Sequence, residues 1–225
     1  MNNIKFENLN LRENILKAIT DLGYEEPSAI QAESIPLATE GYDIIGQAQT
    51  GTGKTAAFGC SILNTFEKSK HVGALILTPT RELAIQVYEE FKKLTKYEKI
   101  SVLPVYGGDS ITKQIKALNN HVDIVVGTPG RVLDLIGRKA LPLSHVQFLV
   151  LDEADEMLNM GFIDDIEEII KELPSQEERQ TLLFSATMPQ QIKKLAQNYL
   201  KKDYKVVNIK KVSMTVSKIA PMWRN

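Results

Sequence analysis

Seven short apolar runs punctuate the chain: DIIG at 43–46, ALILT at 74–78, SVLPV at 101–105, DIVVG at 123–127, FLVL at 148–151, TLLFS at 181–185 and KVVNI at 205–209. Most are apolar nearly throughout and do not alternate. A half-buried strand alternates; a strand covered on both faces does not. Between the runs lie amphipathic segments such as RELAIQVYEEFKKL (81–94), FIDDIEEIIKEL (162–173) and PQQIKKLAQNYL (189–200). Strands alternating with helices predict an α/β fold, a mainly parallel twisted sheet of about seven strands with helices on both faces. Two further helical stretches, near 11–22 and 28–39, precede the first strand and read as an N-terminal extension over residues 1–40 that packs on the core. In sheets of this kind ligands bind beyond the carboxyl ends of the strands. The residues that follow each apolar run are therefore the first place to look for chemistry.

The segment FLVLDEADEML (148–158) ends a buried run in four carboxylates within five positions: Asp152, Glu153, Asp155 and Glu156. Like charges crowded at the edge of a core repel one another. A cation is the natural partner. The sequence supplies its carrier after the first run, where AQTGTGKT (48–55) matches the phosphate-loop pattern except that Ala48 stands at the first glycine position. Gly51 and Gly53 free the backbone to turn its N–H groups toward phosphate oxygens. A helix starting near Lys54 adds its positive end. Lys54 would place a point charge on the β- and γ-phosphates, and the Thr55 hydroxyl would ligate Mg²⁺. Asp152, at the end of a second strand, stands where a magnesium-binding carboxylate belongs, and Glu153 beside it would orient an attacking water. Upstream, GYEEPSAIQ (23–31) reads equally as a turn and helix start, with Pro27 near the first helical position, or as a base-recognition segment. A glutamine amide matches N6 and N7 of adenine, whereas guanine offers two acceptors there. Tyr24 or Phe6 could stack on the base.

Composition narrows the remaining classes. The 225 residues carry 27 Lys+Arg against 28 Asp+Glu, a formal net charge of −1. Any nucleic-acid surface must then be local. The lone Cys60 excludes an intramolecular disulfide and fits a reducing, cytoplasmic setting. MNNIKFENLN lacks the pattern of a secretory signal, and no apolar run reaches membrane-spanning length. His71, His121 and His145 are far apart in sequence, form no metal-ligand pattern and read as surface or loop residues. Lysines 193, 194, 201, 202, 205, 210 and 211 read first as a solvated helix face plus linker, with a phosphate-binding patch as the weaker alternative.

Taken in order, GYEEPSAIQ, AQTGTGKT, PTRELA (79–84), GG (107–108), TPGR (128–131), DEAD (152–155) and SAT (185–187) resemble the motif series of the DEAD-box RNA helicases. Phe6 stands where that family has an isolated aromatic, and Ala48 is usual there. The match spans roughly residues 4–210. The resemblance implies a RecA-like domain at 41–210 that uses ATP and Mg²⁺ and binds RNA. It implies that Gln31 with Tyr24 or Phe6 recognises adenine, and that Gln49, Thr50, Gly51, Thr52, Gly53, Lys54 and Thr55 hold the phosphates. Thr55 and Asp152 would serve Mg²⁺. Lys54, Asp152, Glu153 and Asp155 would act in catalysis, with Ser185 and Thr187 bonding to the acidic motif and coupling nucleotide state to RNA state. Pro79, Thr80, Arg81, Gly107, Gly108, Thr128, Pro129, Gly130 and Arg131 would follow the RNA backbone. Arg81 and Arg131 each sit at a strand-to-helix junction, a good phosphate site. One such arginine alone would read as a helix cap; two at neighbouring strand ends favour RNA. Backbone contacts carry little sequence specificity.

Family members have a second RecA-like domain whose arginines complete the ATP site, and the resemblance does not extend to it. Residues 211–225 read as a linker toward that domain, with Ile219, Met222 and Trp223 expected to pack on an apolar surface. The chain by itself is expected to bind adenine nucleotide with little turnover. Two other readings compete. A DNA translocase or nucleotide kinase on the same fold is disfavoured by the Gln31 segment. A non-enzymatic RNA- or partner-binding module is disfavoured by the intact Lys54, Asp152 and Glu153.

Overall fold

The computed structural model describes residues 4–209. The linker at 211–225 and its apolar residues lie outside the described residues. The chain opens with a short 3-10 helix (Phe6–Leu9), α1 (Glu13–Asp21) and α2 (Ala29–Thr39). Then follow β1 (Ile44–Gln47), α3 (Lys54–Thr65), β2 (Ala74–Leu77), α4 (Arg81–Leu94), β3 (Val102–Val105), α5 (Ile111–Leu118), β4 (Ile124–Gly127) and α6 (Pro129–Gly137). The last part is β5 (Phe148–Leu151), α7 (Ala154–Asn159), α8 (Ile163–Lys171), β6 (Gln180–Ser185), α9 (Gln190–Tyr199) and β7 (Lys205–Asn208). The seven strands form one sheet in the order β3-β4-β2-β5-β6-β1-β7, and every pairing is parallel.

The unbroken apolar runs are explained by two cores, one on each face. Ile44, Ile76, Ile124, Val126, Phe148, Val150, Leu182 and Phe184 point to one face and meet Phe58, Phe91, Ile15 and Ile30 from the helices there. Their neighbours Ile45, Leu75, Val125, Leu149, Leu151 and Leu183 point to the other and meet Val132, Ile166, Ile169 and Leu195. Side chains alternate across a strand; here both faces are dry, so both sets are apolar. The 3-10 helix, α1 and α2 join the first core through Phe6, Leu9, Ile15, Ile19, Ile30 and Ile35. Hydrogen bonds from Gln180 Nε2 to Ala38 O (2.7 Å) and Tyr42 O (2.6 Å) tie the α2–β1 connection to β6.

A buried polar knot closes the amino end of the sheet. Asp43 accepts from the amides of Thr181 (2.9 Å) and Lys201 (2.8 Å). Burial raises the Asp43 pKa, and those two bonds oppose the rise. Arg179 donates to Thr181 Oγ1 and to the carbonyls of Pro174 and Tyr199. This arginine is committed to the fold. His71 and His145, far apart in sequence, stack face to face with ring centroids 3.8 Å apart. Both are exposed loop residues, as the sequence suggests, and they meet in space. The sheet brings together the loop before β2 and the loop before β5, because those strands are neighbours. No described helix is long and apolar enough to cross a membrane.

Candidate nucleotide cleft and nucleic-acid face

The carboxyl ends of β1 and β5 face the same cleft, with β6 between them. A cavity of about 360 Å³ is lined there by Tyr24, Thr50, Gly51, Gly53, Lys54, Thr55, Asp152, Glu153 and residues of α4 including Gln86 and Glu90. The phosphate-loop residues wind from β1 into α3, whose first residue is Lys54. Gly53 precedes it at φ 87°, a left-handed conformation that glycine adopts without strain. A Cβ at Gly53 would lie 2.4 Å from Gln31 Nε2, so a side chain there would displace the Gln31 amide from its place against the loop. Gln49 and Thr52 do not line the cavity. The Thr52 hydroxyl donates instead to Gln49 O at 2.7 Å and braces the loop from outside.

Two buried atoms in this cleft lack any hydrogen-bond partner: Lys54 Nζ and Asp152 Oδ1. Lys54 is 6% exposed and Asp152 4%. A buried ion without partners costs several kcal/mol, so the site is organised around something it lacks in isolation. Burial pushes the Asp152 carboxyl up to about 6; Lys54 lowers it, and Glu153 and Asp155 add to the rise. Glu153, at the N-cap of α7, has φ 53° and ψ 52°. A non-glycine residue in that region stores about 1–2 kcal/mol of strain, a cost seen mostly at functional sites. Asp155 is handled differently. Its Oδ2 accepts from the Thr187 amide (2.9 Å) and hydroxyl (2.8 Å), while its own amide donates to Ser185 Oγ (3.1 Å). Burial pushes the Asp155 carboxyl up, but bonds from Thr187 and Ser185 win and hold it below its ordinary value. Ser185 Oγ also donates to Thr187 O at 2.7 Å. The turn after β6 is thereby bound to the turn after β5.

Gln31 is 6% exposed and both ends of its amide are engaged. Oε1 accepts from Ser28 N (2.9 Å) and Nε2 donates to Gly53 O (3.0 Å). An amide has two acceptor lone pairs and two N–H donors, so one of each is left over by these bonds, although Gln31 lines neither the cleft nor the groove beside it. Tyr24 lines both this cleft and a neighbouring groove of about 850 Å³, which Phe6 also lines. The Phe6 and Tyr24 rings stack with centroids 6.4 Å apart. Phe6 itself is buried, so Tyr24 offers the more open aromatic face. The Tyr24 hydroxyl donates to Glu90 at 2.9 Å; burial, then that carboxylate, raises its pKa to about 12.

The second set of predicted residues gathers after β2, β3 and β4. Thr80 caps α4 by accepting from Leu83 N at 3.3 Å, and Pro129 opens α6 behind Thr128. Pro79 and Pro129 are buried and shape the two junctions, while Gly130, Gly107 and Gly108 are exposed. The Arg81 guanidinium lies over the Tyr106 ring, 5.0 Å from its centroid. Arg131 donates through Nη1 and Nη2 to Asp109 O (3.1 and 3.2 Å) and through Nη1 to Gln114 Oε1 (2.9 Å). Of the two arginines expected along the RNA backbone, one is stacked on an aromatic ring and the other is hydrogen-bonded to the GG turn.

Comparison with known proteins decides the family. The model of the DEAD/DEAH box helicases matches residues 28–195. The chain belongs to the DEAD/DEAH box helicase family. It is 55% identical over 212 residues to the ATP-dependent RNA helicase CshA of Listeria monocytogenes, covering 94% of this chain and 40% of that protein. It is 52% identical to the DEAD-box ATP-dependent RNA helicase CshA of Geobacillus kaustophilus, covering 95% of this chain and 45% of that protein. The chain thus spans less than half the length of these relatives. The solved structure of a DEAD box protein from Methanococcus jannaschii superimposes with a TM-score of 0.86 at 47% identity, over 92% of this chain and 56% of that one. The fold is the RecA-like domain of DEAD-box proteins.

Three residues of this DEAD-box domain escaped sequence reasoning. Tyr106 and Gln114 support the two arginines, and Glu90 holds Tyr24. Gln114 left a signal. It falls on the apolar stripe Ile111, Ile115, Leu118 of α5 and is buried there. A glutamine on a core-facing stripe has a polar partner to find.

Proposed function

We propose that this chain is the ATP-binding half of an RNA-dependent ATPase that couples ATP hydrolysis to local RNA duplex unwinding or remodelling. The observation that carries the reading is the pair of buried, unpartnered groups, Lys54 Nζ and Asp152 Oδ1, in one cleft beside the glycine loop. A cation and an anion left open together fit a magnesium–triphosphate, which presents phosphate oxygens to the first and a metal to the second. Thr55 and Asp152 would hold Mg²⁺. Bound there, the ion would neutralise charge on the phosphates.

The remaining steps belong to side chains of the chain itself. Lys54 binds phosphate oxygens with the loop amides of Gly51 and Gly53. Gln31 reads the adenine edge while keeping its bond to Gly53 O, with Tyr24 or Phe6 against the base. Glu153 orients the water that attacks the terminal phosphate. Asp155, Ser185 and Thr187 link the β5 and β6 turns, so a change in the cleft is felt at both. Arg81, the GG turn, Thr128 and Arg131 bind ribose and phosphate of RNA without reading bases. On this reading 1–40 is the extension that carries Gln31, 41–210 the nucleotide-binding domain, and 211–225 the lead into a second RecA-like domain. The setting is the cytoplasm, away from membranes.

Calorimetric titration tests the proposal. MgADP and MgATP should bind the chain, GTP should bind more weakly, and Lys54→Ala should remove binding without unfolding the protein. Equal binding of MgATP by the Lys54→Ala chain would refute it.

A further inference from the structure

Gln114 stands behind the proposed RNA face, not on it. Its side chain is 5% exposed, on the core-facing stripe of α5. Nε2 donates to Tyr106 O at 3.1 Å and Oε1 accepts from Arg131 Nη1 at 2.9 Å. Arg131 in turn donates twice to Asp109 O. Both ends of the turn Tyr106–Gly107–Gly108–Asp109 are therefore held by one couple: the first carbonyl by Gln114, the last by Arg131. Between them, Gly107 and Gly108 are exposed, and among the described residues neither glycine amide donates to a protein group. Gly108 has φ +82°, and a Cβ there would sit 3.5 Å from Arg81 Nη1. Arg81 is fixed from the other side by the Tyr106 ring.

The choice of an amide matters. The hydrogen-bond partners of Arg131 are neutral, a backbone carbonyl and a side-chain amide. The carboxylate of Asp109 is turned to the Ser110 amide at 2.7 Å. Arg131 thus stays held without losing its positive charge. A carboxylate at position 114 would cancel that charge and would face Tyr106 O with an acceptor where a donor is needed.

We infer that Gln114 is a positioning residue for RNA. It presets the GG turn and Arg131, and through Tyr106 also Arg81, so that two free amides and two guanidinium groups meet one stretch of phosphate backbone without prior rearrangement. Preorganisation of this kind raises affinity by reducing the ordering cost of binding. The inference rests on the RNA-face reading above and adds a residue outside that face.

The test is binding of a fluorescent single-stranded oligouridine by the 225-residue chain, followed by anisotropy over a series of salt concentrations. Gln114→Met keeps the volume and removes both bonds. It should weaken RNA binding about tenfold and flatten the plot of log affinity against log salt by about 0.7, the loss of one phosphate contact on a single strand. Gln114→Glu keeps an acceptor for Arg131 and should weaken RNA at least as much. MgADP affinity should be unchanged in both. A purely structural role would lower the melting temperature while leaving the salt slope of the folded chain unaltered, and that result overturns the inference. If Gln114→Met does not fold, Gln114→Glu alone decides: wild-type RNA affinity with an unchanged slope overturns it. Arg81→Ala is the control for the underlying reading. Weaker binding by Arg81→Ala with unchanged binding by both Gln114 variants sinks the positioning role and leaves the RNA face standing. Absence of RNA binding by the unaltered chain sinks both.

Discussion

Removing the charge of Asp152 should make the protein more stable and useless as a nucleotide site. The carboxylate is buried, with Oδ1 unpartnered, and its pKa is raised from 3.8 to about 6, first by burial and then by Glu153 and Asp155 against the pull of Lys54. Each pKa unit is worth about 1.4 kcal/mol. Ionised Asp152 therefore costs the folded chain roughly 3 kcal/mol relative to a neutral group in its place. The sign follows from linkage. Above pH 6 the carboxylate is charged in both folded and unfolded chains and the penalty is complete. Between 6 and 3.8 the folded chain takes up the proton first and the penalty shrinks, to roughly half at pH 5. Below 3.8 both states are neutral and it is gone. Asp152→Asn should raise the free energy of unfolding by about 2–3 kcal/mol at pH 8, the lower figure allowing for the new amide donors. At pH 5 the gain should be about half as large. Urea denaturation of both chains at the two pH values measures this, and calorimetry with MgADP should show binding lost in the variant. An Asp152→Asn chain no more stable than wild type at pH 8, or equally stabilised at both pH values, would refute the reasoning.

Three other outcomes are expected. Gln31→Ala should remove most of the preference for ATP over GTP, about 1–3 kcal/mol, if, as proposed, the amide held by Ser28 and Gly53 distinguishes the purine edges; competition calorimetry reads it. Glu153→Gly should stabilise the apo chain by about 1 kcal/mol in thermal unfolding by relieving the positive φ, while hydrolysis by the two-domain protein disappears. Among the described residues no arginine lines the cleft, and a transition-state arginine is worth about 10³–10⁵ in rate; phosphate release from ATP by the 225-residue chain should stay near background with or without RNA.

The sheet was legible because its signal is local. Seven largely apolar runs mark seven strands, the central five dry on both faces and the edge strands β3 and β7 partly open to solvent, and each run lies within a residue of an observed strand. The phosphate loop and the carboxylates after β5 were legible because their spacing is tied to strand ends, which the parallel order carries to one edge. What the sequence withheld depends on side chains from distant segments meeting in space. Nothing in GYEEPSAIQ announces that the Gln31 amide closes on Gly53 O. Nothing in GGDSITKQ or TPGR alone pairs Gln114 with Arg131. His71 and His145 meet only because β2 and β5 are neighbours. Periodicity finds faces; it does not say which polar group on a face answers which.

The four carboxylates after β5 show how geometry sorts residues that look alike in sequence. Asp152 directly follows the last residue of β5, is buried, and feels the charge of Lys54. Glu153 then takes a left-handed conformation. That single backbone reversal starts α7 at once and sends the next carboxylate in a different direction. Asp155 leaves the cleft and is satisfied by Thr187, with Ser185 on its amide; Glu156 is exposed. One carboxylate is buried with an oxygen left unpartnered, one stands strained beside it, one clamps the neighbouring turn, and one is solvated. Without the left-handed Glu153 the carboxylates would crowd one site, and repulsion would protonate or displace some of them. The strain at Glu153 and the desolvation of Asp152 are thus coupled costs: the first keeps the other carboxylates away, so that the second is left for a cation. On the proposed reading a phosphate-bound metal would offset the desolvation of Asp152, and the apo chain should gain stability from either Asp152→Asn or Glu153→Gly while losing the chemistry in each case.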